Sequence, residues 1–165
     1  MGDGFVGEIR LFAGDFVPQE WVLCDGALRS VGLDGDSPLQ FVIGNRFGGD
    51  GVNTYGMPNL PDPAPGLRYV ICLYGVFPAQ SGSPGGPQGY LGEVRLSAVG
   101  YSPEGWNYCD GSVIPFGFDP YLQALFSLIG TKFGGDGIRT FGLPTMPDPA
   151  PGVKRIICLR GSFPQ

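Results

Sequence analysis

Apolar and polar positions alternate in part from Val6 to Phe12, with Ile9 and Leu11 on one face and Glu8 and Arg10 on the other. A period of two predicts a half-buried strand, with Glu8 as a charge on its surface. Trp21-Val22-Leu23-Cys24 predicts a second short strand, stopped by the turn pair Asp25-Gly26. Leu67 to Tyr74 is apolar on both faces at its centre and predicts a strand covered on both sides. One segment has a helical pattern. Asp119 suits the N-cap, Pro120 the first helical position, Tyr121 to Ile129 is strongly apolar, and Gly130 can end it. A shorter version reads Ser37, Pro38, Leu39 to Ile43, Gly44. Gly48-Gly49-Asp50-Gly51 predicts a tight excursion. Pro61-Asp62-Pro63-Ala64-Pro65-Gly66 lacks amide donors and predicts an extended, polyproline-like path.

These elements occur twice. Gly7-Glu8-Ile9-Arg10-Leu11 matches Gly92-Glu93-Val94-Arg95-Leu96, and Pro18 and Trp21 match Pro103 and Trp106. Cys24-Asp25-Gly26 returns as Cys109-Asp110-Gly111, and Phe47-Gly48-Gly49-Asp50-Gly51 as Phe133-Gly134-Gly135-Asp136-Gly137. The Pro-Asp-Pro-Ala-Pro-Gly run recurs at 147–152, and Ile71-Cys72-Leu73 recurs at 157–159. The second copy carries one extra residue before its helix. An ordered run of paired motifs is the mark of duplication. The organisation that follows is a first repeat at 1–79, a Gly/Ser/Pro linker at 80–89 and a second repeat at 90–165. A flexible linker of that length spans on the order of 18 Å. Each repeat alone is small for a stable core, so the copies are expected to pack on each other or on neighbouring chains. The fold class is mainly β with short helices, a small α+β protein with Gly/Pro-rich loops.

Composition refines this picture. Gly (30) and Pro (17) exceed a quarter of the 165 residues, which without aromatics would suggest disorder. The 12 Phe, 7 Tyr and 2 Trp supply the apolar mass for an ordered, turn-rich protein. Net charge is −5 and Lys/Arg do not cluster, so nucleic acid is not an expected partner. No apolar run approaches a membrane span, and the start of the chain has no secretory pattern, which points to synthesis in the cytoplasm. There is no His, which removes the commonest metal ligand and the usual neutral-pH base. No cofactor or metal is expected.

The candidate site residues are Trp21, Cys24, Asp25 and Asp50 with their counterparts Trp106, Cys109, Asp110 and Asp136. The tryptophans are sugar-stacking platforms or core anchors. Their place before a Cys-Asp-Gly turn, amid apolar residues, favours anchors. Asp50 and Asp136 sit in Gly-rich loops that could cradle a phosphate or Ca²⁺. The basic and acidic residues such loops need do not follow, and the plainer reading is a turn whose Asp bonds local backbone. Asp34-Gly35-Asp36 is a fragment of an acidic loop without a counterpart in the second copy. Repeated carboxylates (Glu8/Glu93, Asp25/Asp110, Asp62/Asp148) could form an acid/base pair for glycoside cleavage, a remote reading. Cys24 with Cys72 and Cys109 with Cys158 form two disulfides or four buried thiols. Cytoplasmic synthesis favours thiols.

Several motifs, in order and twice, are similar to those of the phage tail collar domain and the related microcystin-dependent proteins. They are Gly-Glu-Ile-Arg-Leu-Phe-Ala-Gly (7–14), Pro18, Trp21, Cys24-Asp25-Gly26, Phe47 to Gly51, and Thr54-Tyr55-Gly56-Met57-Pro58-Asn59-Leu60. The resemblance covers nearly the whole chain. Where the family usually continues with a basic segment, this chain has Pro61-Asp62-Pro63-Ala64-Pro65 and its repeat. The resemblance implies a non-enzymatic structural or receptor-proximal role in a tail fibre, in a virion or tail-like particle. The implied partners are further copies of the chain or tail-particle proteins. The alternative is a free-standing, lectin-like module for a cell-surface glycan.

Overall fold

The computed structural model describes residues 4–31, 38–80 and 86–165. The first copy runs β1 (Glu8–Phe12), β2 (Trp21–Leu23), β3 (Leu28–Ser30), α1 (Pro38–Ile43), β4 (Thr54–Gly56) and β5 (Arg68–Cys72). The second repeats the order as β6 (Val94–Ser97), β7 (Trp106–Tyr108), β8 (Val113–Pro115), α2 (Pro120–Ile129), β9 (Thr140–Gly142) and β10 (Lys154–Cys158). The protein is mostly β, with antiparallel sheets that do not close. Each copy adds one small two-stranded sheet, β3–β4 in the first and β8–β9 in the second, with its Gly-rich loop leading into the second strand. Ser37 and Asp34-Gly35-Asp36 lie outside the described residues.

The copies share one six-stranded sheet in the order β2-β5-β1-β6-β10-β7. Its centre is the pairing of β1 with β6, Glu8 opposite Ser97 and Ile9 opposite Leu96. The register continues past the strand ends, where the Ala98 N–H donates to Gly7 O at 2.9 Å. The largest buried cluster is correspondingly shared. Phe5, Ile9, Leu39, Val42, Tyr55 and Ile71 of the first copy pack with Val99, Trp106, Val153 and Ile156 of the second. A smaller cluster under α2 holds Leu125, Phe141 and Leu143, with Phe116 and Phe126 stacked at 5.0 Å.

Local chemistry explains the elements. Asp119 Oδ1 accepts from the N–H groups of Tyr121 (2.9 Å) and Leu122 (3.3 Å), which caps α2. Gly130 ends α2 at φ 59°, its N–H donating to Phe126 O. Gly49 and Gly135 adopt φ 84° and 86° where the loop backbone crosses β4 or β9. A Cβ on Gly49 would stand 2.6 Å from Tyr55 Cα, so both the turn and the close approach require glycine.

Strand β1 departs from the alternation read in the sequence. Glu8, expected at the surface, is only 1% exposed, and Leu11, expected in the core, is 47% exposed. The cause is tertiary. β6 covers β1 at Glu8 and Ile9, then diverges and leaves Leu11 uncovered. Val94 on β6, which the same register would set opposite Leu11, is likewise exposed.

Candidate functional site

The two tryptophans sit in equivalent frames. Trp21 opposes Cys72 in the β2–β5 ladder, and Trp106 opposes Cys158 in β7–β10. Both indoles are 5% exposed. The Arg10 guanidinium carbon lies 5.2 Å from the centre of Trp21, and that of Arg95 lies 5.0 Å from Trp106. Trp106 Nε1 also donates to Pro87 O at 2.9 Å. Each arginine is held from behind by a carboxylate two residues before it: Arg10 by Glu8, and Arg95 by Glu93 at 2.5 Å. The recurring unit is thus glutamate, arginine and indole, and the rings present no open face. The Glu-x-Arg spacing ahead of each Trp was the sequence signal for this unit, which the reading by alternation passed over.

These units converge on a cleft of about 350 Å³ at the seam of the two copies, lined by Glu8, Arg10, Tyr69, Glu93, Arg95 and Arg155 among others. Glu8 Oε1 accepts from the Phe5 N–H at 3.1 Å and lies 3.6 Å from Arg95 Nη1. Glu93 Oε1 accepts from the Tyr90 N–H at 3.0 Å. Burial pushes the Glu93 carboxyl up, but the Arg95 and Tyr90 hydrogen bonds and the charges of Arg95 and Arg10 leave it below its ordinary value. A general acid for glycoside cleavage needs the opposite shift.

The aspartates are turn residues. Asp25 Oδ1 accepts from the Ala27 N–H, and Asp110 Oδ1 from the Ser112 N–H, both at 3.0 Å. The Ser112 hydroxyl and N–H hold the Asp110 carboxyl below its usual value against slight desolvation. Asp50 Oδ1 accepts from Thr54, Val52 and Asn53 N–H groups at 2.9, 2.8 and 2.7 Å, which lowers its carboxyl to about 2. Asp136 does the same with Arg139, Ile138 and Thr140, and its carboxyl also lies below the usual range. Each carboxylate thereby folds its own loop and raises one apolar side chain, Val52 or Ile138, at an exposed tip. Asp148 pairs with Lys154 at 2.7 Å.

All four cysteines are buried and free. Burial pushes the Cys24 thiol up to about 12, with help from Asp25, and the Cys72, Cys109 and Cys158 thiols up to about 11. The sheet register forbids the pairings considered from spacing. Cys24 lies opposite Tyr69, since its N–H donates to Tyr69 O, while Cys72 is opposite Trp21. Three rungs of about 3.3 Å separate them along the strands, too far for a disulfide. Cys109 and Cys158 repeat this arrangement. Among the described residues, no group of three or more His, Cys, Asp or Glu is placed to hold a metal ion.

A family model described as the phage tail collar domain matches residues 7–65 and, a second time, residues 92–151. The chain belongs to the phage tail collar family. No curated protein and no solved structure matches it. The collar domain is a structural domain of phage tails and not an enzyme family. The two collar matches begin at Gly7 and Gly92, at the entry to β1 and β6, and end in the Pro-Asp-Pro-Ala-Pro segments. Among the described residues, no helix is long and apolar enough to cross a membrane.

Proposed function

We propose that this collar protein is a non-catalytic, receptor-proximal component of a phage tail fibre or tail-like particle. It is made in the cytoplasm and carried in the particle. Its partners are tail-particle proteins or further copies of itself. The observation that carries this reading is the doubled collar match over a scaffold whose polar side chains serve the fold. Glutamates hold arginines, arginines cover indoles, and aspartates close turns. Sedimentation of the source lysate through a density gradient, followed by immunodetection, tests it. The chain is expected in the particle fraction, at a fixed ratio to the other tail proteins. Recovery only as free protein at the top of the gradient overturns the reading.

A second reading is a glycan-binding module. It draws on a groove of about 370 Å³ in the first copy where Asp25, Asn59, Asp62, Arg68 and Tyr69 meet. Polar side chains beside one aromatic ring suit a sugar face. Reproducible glycan-array binding, lost in Tyr69→Ala, would favour it.

A further inference from the structure

Duplication supplies the parts of the copy-to-copy contact twice, and the chain uses them once. The used contact has a corner and a seat. The corner is Arg46–Phe47, just after α1. Arg46 Nη2 donates to Ala98 O, and its guanidinium lies against Gly100, where a Cβ would meet it at 3.5 Å. The Phe47 ring lies against Gly152, where a Cβ would meet it at 3.0 Å. Beside them Tyr101 Oη donates to Pro78 O at 2.6 Å.

The unused contact follows from the repeat alignment. Its corner is Lys132–Phe133. Its seat is Ala13, Asp15, Phe16 and Gly66, the counterparts of Ala98, Gly100, Tyr101 and Gly152. These residues are open. Phe133 is 43% and Phe16 75% exposed, Asp15 and Lys132 are exposed, and a Cβ on Gly66 would meet nothing within 4 Å. The strand pairing is unused in the same half. Extending the β1–β6 register would set Leu11 opposite Val94, yet the strands have separated there and both side chains are exposed. The differences between copies also fit. Gly100, under the Arg46 guanidinium, becomes Asp15 exactly where Arg46 becomes Lys132, so an opposite charge pair replaces a cation over glycine. Gly66 keeps the space that Gly152 gives to the Phe47 ring.

We propose that the two unused halves join between chains: the Lys132–Phe133 corner of one chain seats on Ala13–Phe16 and Gly66 of a second copy. Corner and seat are different surfaces, so the contact is head-to-tail and propagates until a ring closes. The proposal rests on the structural tail role and names the self-association surface within it.

Sedimentation velocity and light scattering from low to high micromolar concentration test it, with the melting temperature as a check on folding. The wild-type chain is expected as multiples of 17.5 kDa. Asp15→Lys alone, or Lys132→Asp alone, sets like charges face to face. Each is expected to raise the dissociation constant at least ~10-fold without lowering the melting temperature, because both residues are exposed. Mixing the two variant chains restores opposite charges at every junction between unlike chains and is expected to restore assembly. A wild-type chain that stays monomeric throughout overturns the proposal and leaves the tail role to the particle experiment. Oligomers indifferent to both reversals, or no rescue on mixing, overturn it as well.

Discussion

Replacing Trp106 by Ala removes an indole that is almost wholly buried in the cluster shared by both copies. Truncating a core Trp costs about 3–5 kcal/mol in general. Two features move Trp106 to the top of that range. Its Nε1 hydrogen bond to Pro87 O is buried and contributes about 1 kcal/mol net. The Arg95 guanidinium over its ring contributes roughly 0.5–1 kcal/mol. Trp21 has the matching arginine but packs in a smaller cluster with Val70 and Cys72, near the opposite edge of the sheet. Trp106→Ala is therefore expected to lose about 5 kcal/mol and Trp21→Ala about 3 kcal/mol. Urea unfolding followed by far-UV circular dichroism measures both, because the probe is independent of the indole. The shift in midpoint times the slope gives the loss. Trp106→Phe, which keeps most of the ring, is expected to fall well short of Trp106→Ala. A loss below about 1 kcal/mol for Trp106→Ala is surface behaviour and would refute the argument, as would equal losses at the two positions.

Two further predictions concern the carboxylates. Glu8→Ala is expected to cost about 2–4 kcal/mol, since it leaves Arg10 and the Phe5 N–H without their buried acceptor. Glu93→Ala is expected to cost about 1 kcal/mol, because Glu93 is 31% exposed and water can replace it; a reversed order in urea unfolding would falsify the assignment of Glu8 as the buried member. Asp50 has a lowered folded pKa, so its contribution is complete above the ordinary carboxyl range of about 4 and is lost as pH falls through about 2. Carbon-detected NMR is expected to show Asp50 titrating near that value and Asp136 also below the ordinary range, with the Val52 to Thr54 amides still protected at pH values where ordinary carboxyls protonate; normal titration at both sites overturns the loop-clamp reading.

The local order of this protein was legible in its sequence. The Asp119 cap, Pro120 and Gly130 bound α2 because side-chain capping, the proline ring and a glycine at positive φ act within a few residues. The Asp50 and Asp136 turns were legible for the same reason, as each aspartate bonds amides two to four residues on. The duplication and the collar family were legible because ordered motifs survive in the linear string. Tertiary structure decided what depends on partners far along the chain. Alternation in β1 could not reveal that β6 would bury Glu8 and release Leu11, since that depends on where two strands some 85 residues apart meet and part. Cysteine spacing could not decide the state of the thiols, because ladder register, set by pairing across the sheet, holds Cys24 and Cys72 three rungs apart. Similarity of the copies likewise could not tell that Arg46 and Phe47 would lie against Gly100 and Gly152 while Phe133 and the counterpart glycine Gly66 stayed open. One chain with two copies has one internal junction, and a junction between unlike surfaces uses only one corner and one seat.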